Sequence, residues 1–282
     1  MTLSWQSAVD FTFMDRPSWK GKEKTQFGIA TRHFGEFYGA DEPCESITRK
    51  TIKAYVSWME DEGRADATIN RHLSAVHVVL DHCIEEDELD MNIPKFKRKP
   101  KTESRPWWFS KEQVDLLCEK EIKTGLSDLI RFASLTGARM SELLTIQQRD
   151  IDLDAGLIYI GGRPEFNTKT GNWRTVPIHD NLVQMLRDRT EGIPHDVFIF
   201  GDQWMNGKQV LYWFKKRCKQ LGYKQHMVFH CLRHSFATWA IEDGVPIRVL
   251  MELMGHSEIE TTLRYAKVTD SSRRQAISSI LV

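Results

Sequence analysis

The chain has 282 residues, of which 41% are hydrophobic and 28% are charged, and its 39 basic and 39 acidic side chains give a net charge of zero. This length is sufficient for two domains with separate cores, and the composition is typical of a globular protein. A membrane-spanning helix needs about 18 consecutive apolar residues, and no apolar run in this sequence approaches that length. The sequence also has no signal-peptide pattern, so we expect no membrane association.

The first hundred residues carry the periodicity of helices. Apolar side chains recur at spacings of three and four along three segments, and Gly39 and Gly63 are positioned to end two of them. The segments are KEKTQFGIATRHFGEFYG (22–39), ITRKTIKAYVSWMEDEG (47–63) and DATINRHLSAVHVVLDHCIEE (66–86). Together with a weaker segment near residues 4–14, they predict a small four-helix domain over residues 1–93.

A basic segment follows this domain at residues 94–106. PKFKRKPKTESRP holds six Lys or Arg residues against one Glu, three prolines and no apolar periodicity, which indicates a linker. The zero net charge argues mildly against a nucleic-acid partner, but a polarised distribution matters more than the sum. Two interpretations stay open here, a solvated tether and a linker that also follows a phosphate backbone.

The second half, residues 107–282, mixes helices with short strands. Helical segments near 110–120 and 126–136 come first, and helices return from about residue 180 to the end. Between them, GLIYIGG and RTVPI have the pattern of strands, and a Gly-Asn turn signal in NTKTGNW joins the two. The predicted fold class is therefore mainly α with a small β-sheet (α+β).

Four patches of this half contain side chains suited to chemistry, and each has a plain structural alternative. Arg139 and Glu142 in TGARMSEL have the spacing of a surface ion pair, and Lys169 in NTKTGNW has the position of a solubilising hairpin lysine. HCLRH carries His230, Arg233 and His234 on one helix face, and GHSEIETTLRY carries His256 and Tyr265. In the last patch Ser257 and Glu260 form a Ser-x-x-Glu capping box, which predicts a helix starting there and Tyr265 two turns into it. Alone, that tyrosine is interpreted as a core aromatic.

A metal site is the main alternative at His230 and His234. Their i, i+4 spacing is that of metalloprotease helices, but those require Glu directly after the first histidine, where this chain has Cys231. The combined set instead suits phosphoryl transfer without metal. Guanidiniums bind phosphate oxygens, a phenol serves as nucleophile, and a lysine and histidines move protons.

In this order and at these separations, TGARMSEL, the hairpin Lys169, HCLRH and GHSEIETTLRY resemble the tyrosine recombinase (phage integrase) family. The resemblance covers roughly residues 107–268, and the helical domain before it resembles the family's core-binding domain. It implies a catalytic domain over residues 107–282 and a C-shaped clamp of two domains on duplex DNA. It also implies a site-specific recombinase that cleaves and rejoins DNA strands through a 3′-phosphotyrosine, with no metal and no cofactor.

The resemblance also implies roles for individual residues. Tyr265 would attack the scissile phosphorus, and Arg139 and Arg233 would bind the non-bridging oxygens. Lys169 would protonate the leaving 5′ oxygen, His230 would assist proton transfer at the tyrosine, and His256 would donate a hydrogen bond to the phosphate. Glu142 and His234 would position these residues without contacting the phosphate themselves. The expected phosphate contacts from the linker are Lys95, Lys97, Arg98, Lys99 and Lys101.

Assembly and location are further expectations. The tail of residues 270–282, DSSRRQAISSILV, ends apolar and either packs on its own domain or, as in the family, docks into a neighbouring protomer to give a dimer or tetramer on DNA. Five scattered cysteines without a Cys-x-x-Cys pair predict the reducing cytoplasm of a bacterial or phage-infected host cell.

Open alternatives for the function are an inactive recombinase-like DNA-binding regulator, a type IB topoisomerase and a metallohydrolase. Accessory factors and the target sites stay undetermined.

Overall fold

The structure is a computed structural model that describes residues 2–15, 22–100, 107–163, 173–201, 204 and 206–265. The chain divides into two compact units, Met1–Glu103 and Ser104–Val282, and the division falls inside the predicted linker. Among the described helices, none has the combination of length and apolar character needed to cross a lipid bilayer.

The first unit is built from four long helices at the four segments that the sequence predicts. They are α1 (Trp5–Asp15), α2 (Lys22–Tyr38), α3 (Arg49–Asp61) and α4 (Asp66–Glu85), with a short 3₁₀ helix at Cys44–Ser46. The periodic apolar side chains form its core, and Trp5, Phe34 and Tyr55 are among the largest fully buried ones. Burying aromatic side chains of this size is the main stabilising contribution in a domain of about one hundred residues.

Part of the predicted linker packs onto this unit. Phe96 packs against the helical core, and the Asn70 side chain pairs with both backbone groups of Lys99. The Lys99 amide donates to Asn70 Oδ1 at 2.8 Å, and Asn70 Nδ2 donates to the Lys99 carbonyl at 2.9 Å. The Lys99 ammonium in turn forms an ion pair with Glu60. The basic segment is therefore held to the helical unit up to about residue 99.

The second unit contains eight described α-helices around a three-stranded sheet. Its strands are β1 (Ile151–Asp152), β2 (Leu157–Ile160) and β3 (Arg174–Pro177), all antiparallel in the order β1-β2-β3. Its helices are α5 (Lys111–Glu119), α6 (Leu126–Thr136), α7 (Met140–Leu143), α8 (Asp180–Thr190), α9 (Gly207–Gln220), α10 (His230–Glu242), α11 (Ile247–Met254) and α12 (Ile259–Leu263). The mainly α architecture with a small sheet agrees with the predicted fold class.

The sheet decides which side chains of β3 face the protein interior. Successive residues of a strand alternate between its two faces, and in β3 Arg174 and Val176 are the buried pair. Their partners across the sheet are Ile160 and Ile158, which are also buried. Arg174 is thus a charged residue on an apolar face, and it requires a partner inside the unit.

Two glycines make the sharp chain reversals that surround this interior. Gly137 ends α6 with φ of +64°, and Gly255 ends α11 with φ of +61°, a conformation that a side chain strongly disfavours. A Cβ added to Gly137 would lie 2.6 Å from Phe236 Cδ1. These reversals bring the chain segments after α6 and α11 close to α10.

Candidate active site

Arg139 and Glu142 form the first part of the site, at the start of α7. Arg139 is the N-cap residue, and Glu142 reaches back to accept a hydrogen bond from the Arg139 amide at 2.7 Å. The same carboxylate accepts a second bond from the Arg139 guanidinium, also at 2.7 Å. The Arg139 side chain remains 41% exposed, so its other donors can face a ligand. The pair is more than a surface ion pair because most of the Glu142 side chain is buried, with 18% exposed.

Arg174 is a site residue that the sequence analysis did not identify. Its guanidinium donates to Glu142 Oε2 at 2.9 Å and Oε1 at 3.2 Å, and its Nε donates to the Leu253 carbonyl at 2.7 Å. Burial raises the pKa of Glu142, but its bonds from Arg174 and Arg139 outweigh that effect and lower the pKa to about 2. The alternation of β3 is the signal that could have revealed Arg174, because it places this cation on the same face as Val176.

Arg233 lies deeper, on α10, and is only 3% exposed. Its two terminal nitrogens donate to the carbonyls of Gly137, at 2.5 Å, and Met254, at 2.6 Å. It therefore joins the ends of α6 and α11 to α10. Burial, with Arg139 and Arg174 nearby, lowers the pKa of Arg233 to about 10, which leaves the guanidinium charged at neutral pH.

Tyr265 lies against His234 on α10. Its hydroxyl is 2.5 Å from His234 Nδ1, and its ring is 9% exposed within an apolar cluster that includes Leu250 and Met254. Burial raises the pKa of the Tyr265 hydroxyl, and the charges of Arg264 and Arg233 oppose that rise. Both interpretations of this tyrosine apply, since it packs in a core and presents its oxygen to a polar site.

The predicted helix before Tyr265 needs correction. Its N-cap is Glu258 without a side-chain hydrogen bond, so the expected capping box of Ser257 and Glu260 is absent. The helix, α12, ends at Leu263, and Tyr265 follows it in a turn, where its amide donates to the Thr262 carbonyl at 3.0 Å. Ser257 lies one residue before the observed N-cap position, so the Ser-x-x-Glu spacing is out of register with the helix start.

Three histidines surround the tyrosine and the arginines. His230 begins α10, and its ring lies 4.7 Å from that of His234, nearly perpendicular to it. Although His230 is exposed at the surface, desolvation by neighbouring atoms and the charge of Arg233 lower its pKa. His256 lies in the turn after α11, and its Nδ1 is 2.8 Å from Thr262 Oγ1.

In the part of the chain that the structure describes, the cationic side chains of the site outnumber the anionic ones. Burial lowers the pKa of His234 to about 4, with His230 and Arg264 adding to the effect, and burial with Arg233 and Arg139 lowers the pKa of His256 to about 4. Among the described residues, one carboxylate, that of Glu142, is recorded in contact with these arginines. A site of this kind favours an anion, and phosphate oxygens are ligands that guanidiniums bind well. The cations involved are Arg139, Arg174, Arg233 and Arg264.

Some predicted site residues cannot be placed. Lys169 and Lys101 lie outside the described residues. Of the remaining linker cations, Lys95, Lys97 and Arg98 are exposed, whereas Lys99 contacts Glu60.

The metal alternative gains no support from the ligands around His230 and His234. Within the described ranges, the His, Cys, Asp and Glu side chains form one group at metal-ligand distances, Asp15, His82 and Glu86. That group belongs to the helical unit, whereas His230 and His234 belong to the other unit.

Comparison with known proteins gives a consistent result. Residues 107–272 match the model of the phage integrase family. The tyrosine recombinase XerC of Chlamydia pneumoniae is 26% identical over 250 residues, which cover 83% of this chain and 78% of that protein. The tyrosine recombinase XerA of Thermococcus kodakarensis is 32% identical over 222 residues, 76% of each chain.

Solved structures share the fold. The Tn1549 transposon integrase in complex with transposon right end DNA has a TM-score of 0.81 at 19% identity, covering 98% of both chains. A lambda integrase tetramer bound to a Holliday junction has a TM-score of 0.74 at 21% identity, covering 95% of this chain and 80% of the other. At these identities the likeness concerns the fold alone.

Proposed function

Because this chain belongs to the phage integrase family, we propose that it is a site-specific DNA recombinase that cleaves and rejoins DNA strands through a 3′-phosphotyrosine. The observation that carries the proposal is the position of Tyr265. Its hydroxyl contacts His234, and the charges of Arg233 and Arg264 act on it in a site where, among the described residues, Glu142 is the one carboxylate in contact with the arginines. A DNA phosphate supplies both a further anion and the electrophile for the phenol.

The proposed cleavage step is a displacement at phosphorus. The Tyr265 oxygen forms a bond to the phosphorus and loses its proton, and the bond from phosphorus to the 5′ oxygen breaks. The leaving 5′ oxygen then takes a proton, which we assign to Lys169. Rejoining is the reverse reaction, in which a 5′-hydroxyl displaces the tyrosine. The covalent ester retains the energy of the broken bond, so the proposal needs neither a nucleotide nor a metal.

The arginines act on charge that develops during this displacement. Arg139 presents donors from the exposed side of the site, and Arg233 presents a charge from its buried side. We propose that both bind the non-bridging oxygens, whose negative charge increases in the transition state. Loss of one such donor typically reduces the rate about 10²- to 10³-fold.

The proton of the tyrosine has two candidate acceptors. The family resemblance implies this role for His230, whereas His234 is the histidine at hydrogen-bond distance from the hydroxyl. We propose that His234 holds the hydroxyl for attack and that His230, 4.7 Å away ring to ring, completes the path of the proton. Bound phosphate would raise the pKa of both imidazoles because it neutralises the nearby guanidiniums.

The same proposal covers partners and assembly. We propose that both units bind duplex DNA and that the protein acts as a dimer or tetramer on it, with the tail of residues 270–282 docking into a neighbouring protomer. That tail lies outside the described residues. The cytoplasm, where recombination sites are accessible, is the proposed location.

A suicide substrate nicked near the cleavage site tests this function. With fragments of the DNA that the protein binds, we expect a covalent protein–DNA adduct that resists SDS and forms in EDTA. Tyr265→Phe should abolish the adduct while duplex affinity stays within about twofold, since one hydroxyl is removed from a buried ring.

Each alternative predicts a different outcome. An inactive regulator would bind DNA without any adduct, and a metallohydrolase would lose activity in EDTA. A type IB topoisomerase would form the adduct and relax supercoiled DNA, but it would not join strands from two DNA partners. Joined product from Tyr265→Phe would contradict the proposed chemistry.

A further inference from the structure

We infer that Thr262 is a positioning residue that sets the tautomer of His256, so that His256 Nε2 carries the proton directed at the DNA phosphate. The inference rests on the proposed function for the role of His256. It adds a residue to which neither the sequence motifs nor the family resemblance assigned any part.

The contact itself is short and lies in the interior. Thr262 is fully buried, with 0% of its surface exposed, and its Oγ1 lies 2.8 Å from His256 Nδ1. Among the residues that the structure describes, the Thr262 hydroxyl has no other hydrogen-bond partner. The preceding residue, Thr261, is exposed, and its side chain has no hydrogen bond to any residue of the described ranges, so it serves as a matched control.

The direction of this hydrogen bond follows from the number of protons. Burial and the nearby arginines lower the pKa of His256 to about 4, so at neutral pH the imidazole is uncharged and carries one N–H. If that proton were on Nδ1, it would point at Thr262 Oγ1, and the buried hydroxyl proton would lack an acceptor. If the hydroxyl donates to Nδ1, both groups are satisfied and the imidazole proton moves to Nε2. A buried donor without an acceptor is costly, so the second arrangement is preferred.

The preferred tautomer is also the one that phosphate binding requires. A phosphate oxygen only accepts hydrogen bonds, so an unprotonated Nε2 would repel it. Thr262 additionally holds the nucleophile, since its backbone carbonyl accepts the Tyr265 amide at 3.0 Å. One buried residue therefore supports both a phosphate ligand and the attacking tyrosine, through two different groups.

The spectroscopic test uses the protein without DNA. Long-range ¹H–¹⁵N correlation spectra distinguish the two nitrogens of a neutral imidazole, and His256→Gln identifies the signal. In the wild-type protein at neutral pH we expect His256 protonated on Nε2, and in Thr262→Val a substantial population protonated on Nδ1. A wild-type His256 protonated on Nδ1 would overturn the inference.

The kinetic test compares three variants in single-turnover cleavage of the nicked substrate. Thr262→Val keeps the branched shape but cannot donate, and we expect cleavage to slow roughly five- to tenfold, the equivalent of one net hydrogen bond. Thr262→Ser restores the donor and should recover a rate within about twofold of wild type, and Thr261→Val should leave the rate unchanged. DNA affinity should stay within about twofold of wild type in all three. A Thr262→Val enzyme that cleaves at the wild-type rate contradicts the inference.

A double-mutant cycle separates positioning from simple packing. In a His256→Ala background the Thr262→Val change should cost almost nothing further, because the hydroxyl acts through the imidazole. An undiminished cost in that background would assign Thr262 a packing role only. If the wild-type protein forms no covalent adduct at all, the proposed function fails, whereas the tautomer measurement still decides the contact with Thr262.

Discussion

Glu142 is the residue on which the cationic side of the site depends. It accepts hydrogen bonds from the Arg139 amide and guanidinium and from the Arg174 guanidinium, and its side chain is 18% exposed. A carboxylate that accepts hydrogen bonds from two arginines stays ionised at pH values far below the ordinary pKa of a glutamate. Its charge is therefore part of the folded state at every pH near neutrality.

We predict that ionised Glu142 stabilises the folded protein and that this stabilisation is lost at acidic pH. Because the folded-state pKa of about 2 lies below the ordinary value of 4.5, this contribution is fully present above about pH 4.5 and declines as the pH falls towards 2. The shift corresponds to roughly 3 kcal/mol. In urea titrations Glu142→Gln should be less stable than wild type by about that amount at pH 6, and the difference should narrow by pH 3. A difference that stays constant with pH would contradict the assignment.

Arg174 gives a second prediction at the scale of a residue. Arg174→Met leaves Glu142 with one of its two guanidinium partners and frees the Leu253 carbonyl, so we expect a loss of about 3 kcal/mol in the free energy of unfolding. The exposed Arg187→Met is the control and should change stability by about 0.5 kcal/mol or less. Arg174→Lys should fail to restore stability, since an ammonium cannot span both carboxylate oxygens. Full recovery by lysine would show that charge alone is required.

These residues differ in how well sequence alone could predict them. The Arg139 and Glu142 pair could be predicted, since three residues is the spacing of a reciprocal cap at a helix start. The alternation of β3 could have placed Arg174 on the buried face, but its contact with Glu142, 32 residues away, depends on how the chain folds. The contact of Thr262 with His256, 6 residues away, depends on the turn at Gly255 and could not be predicted. The role of His234 depended on the position of Tyr265, which a wrongly predicted helix obscured.

At the scale of elements, α10 is the helix that gathers the site. Within one turn and a half it carries His230, Arg233 and His234, and Arg264 lies near enough to act on the pKa of His234. Arg233 is the charged member of this set at neutral pH, and it lies near Arg139 and Arg174, so like charges repel each other here unless an anion lies against them. We therefore expect this helix to become more stable against local opening when phosphate binds.

We predict that DNA binding slows amide hydrogen exchange in the first two turns of α10. The bound phosphate would offset the repulsion among the guanidiniums, and opening of this segment would then cost more free energy. Helix α8, Asp180–Thr190, is the internal control and should exchange at the same rate with and without DNA. Equal protection of α10 in both states would count against a phosphate at this site.

The long helices of the chain were predictable because their apolar spacing is regular. Helices α2, α3 and α4 coincide with the predicted segments to within a few residues, and the strands β2 and β3 pair as expected. The two-residue strand β1 carries no alternation that a sequence could show, and its pairing depends on Ile158 of β2. Short elements take their structure from neighbours rather than from local preference.

At the scale of the whole molecule, affinity for DNA should depend on salt through exposed cations. Each phosphate contact contributes about 0.9 to the slope of log affinity against log salt. Lys97→Ala and Arg98→Ala should each reduce the slope by about one, whereas Lys99→Ala should have less effect because Glu60 already pairs with it. Glu60→Gln releases that lysine and should steepen the slope. A slope unchanged by Lys97→Ala and Arg98→Ala would remove these residues from the DNA contact.

The hydrogen bonds from Arg233 to two backbone carbonyls affect how inactive variants of this protein can be interpreted. Replacing Arg233 would remove a charge from the reaction and also leave the Gly137 and Met254 carbonyls unsatisfied in the interior. Loss of activity in an Arg233 variant could therefore result either from the lost catalytic charge or from a destabilised domain. Arg139, with 41% of its side chain in solvent, is the cleaner probe. A catalytically dead reference protein for binding studies is better made at Arg139 or Tyr265.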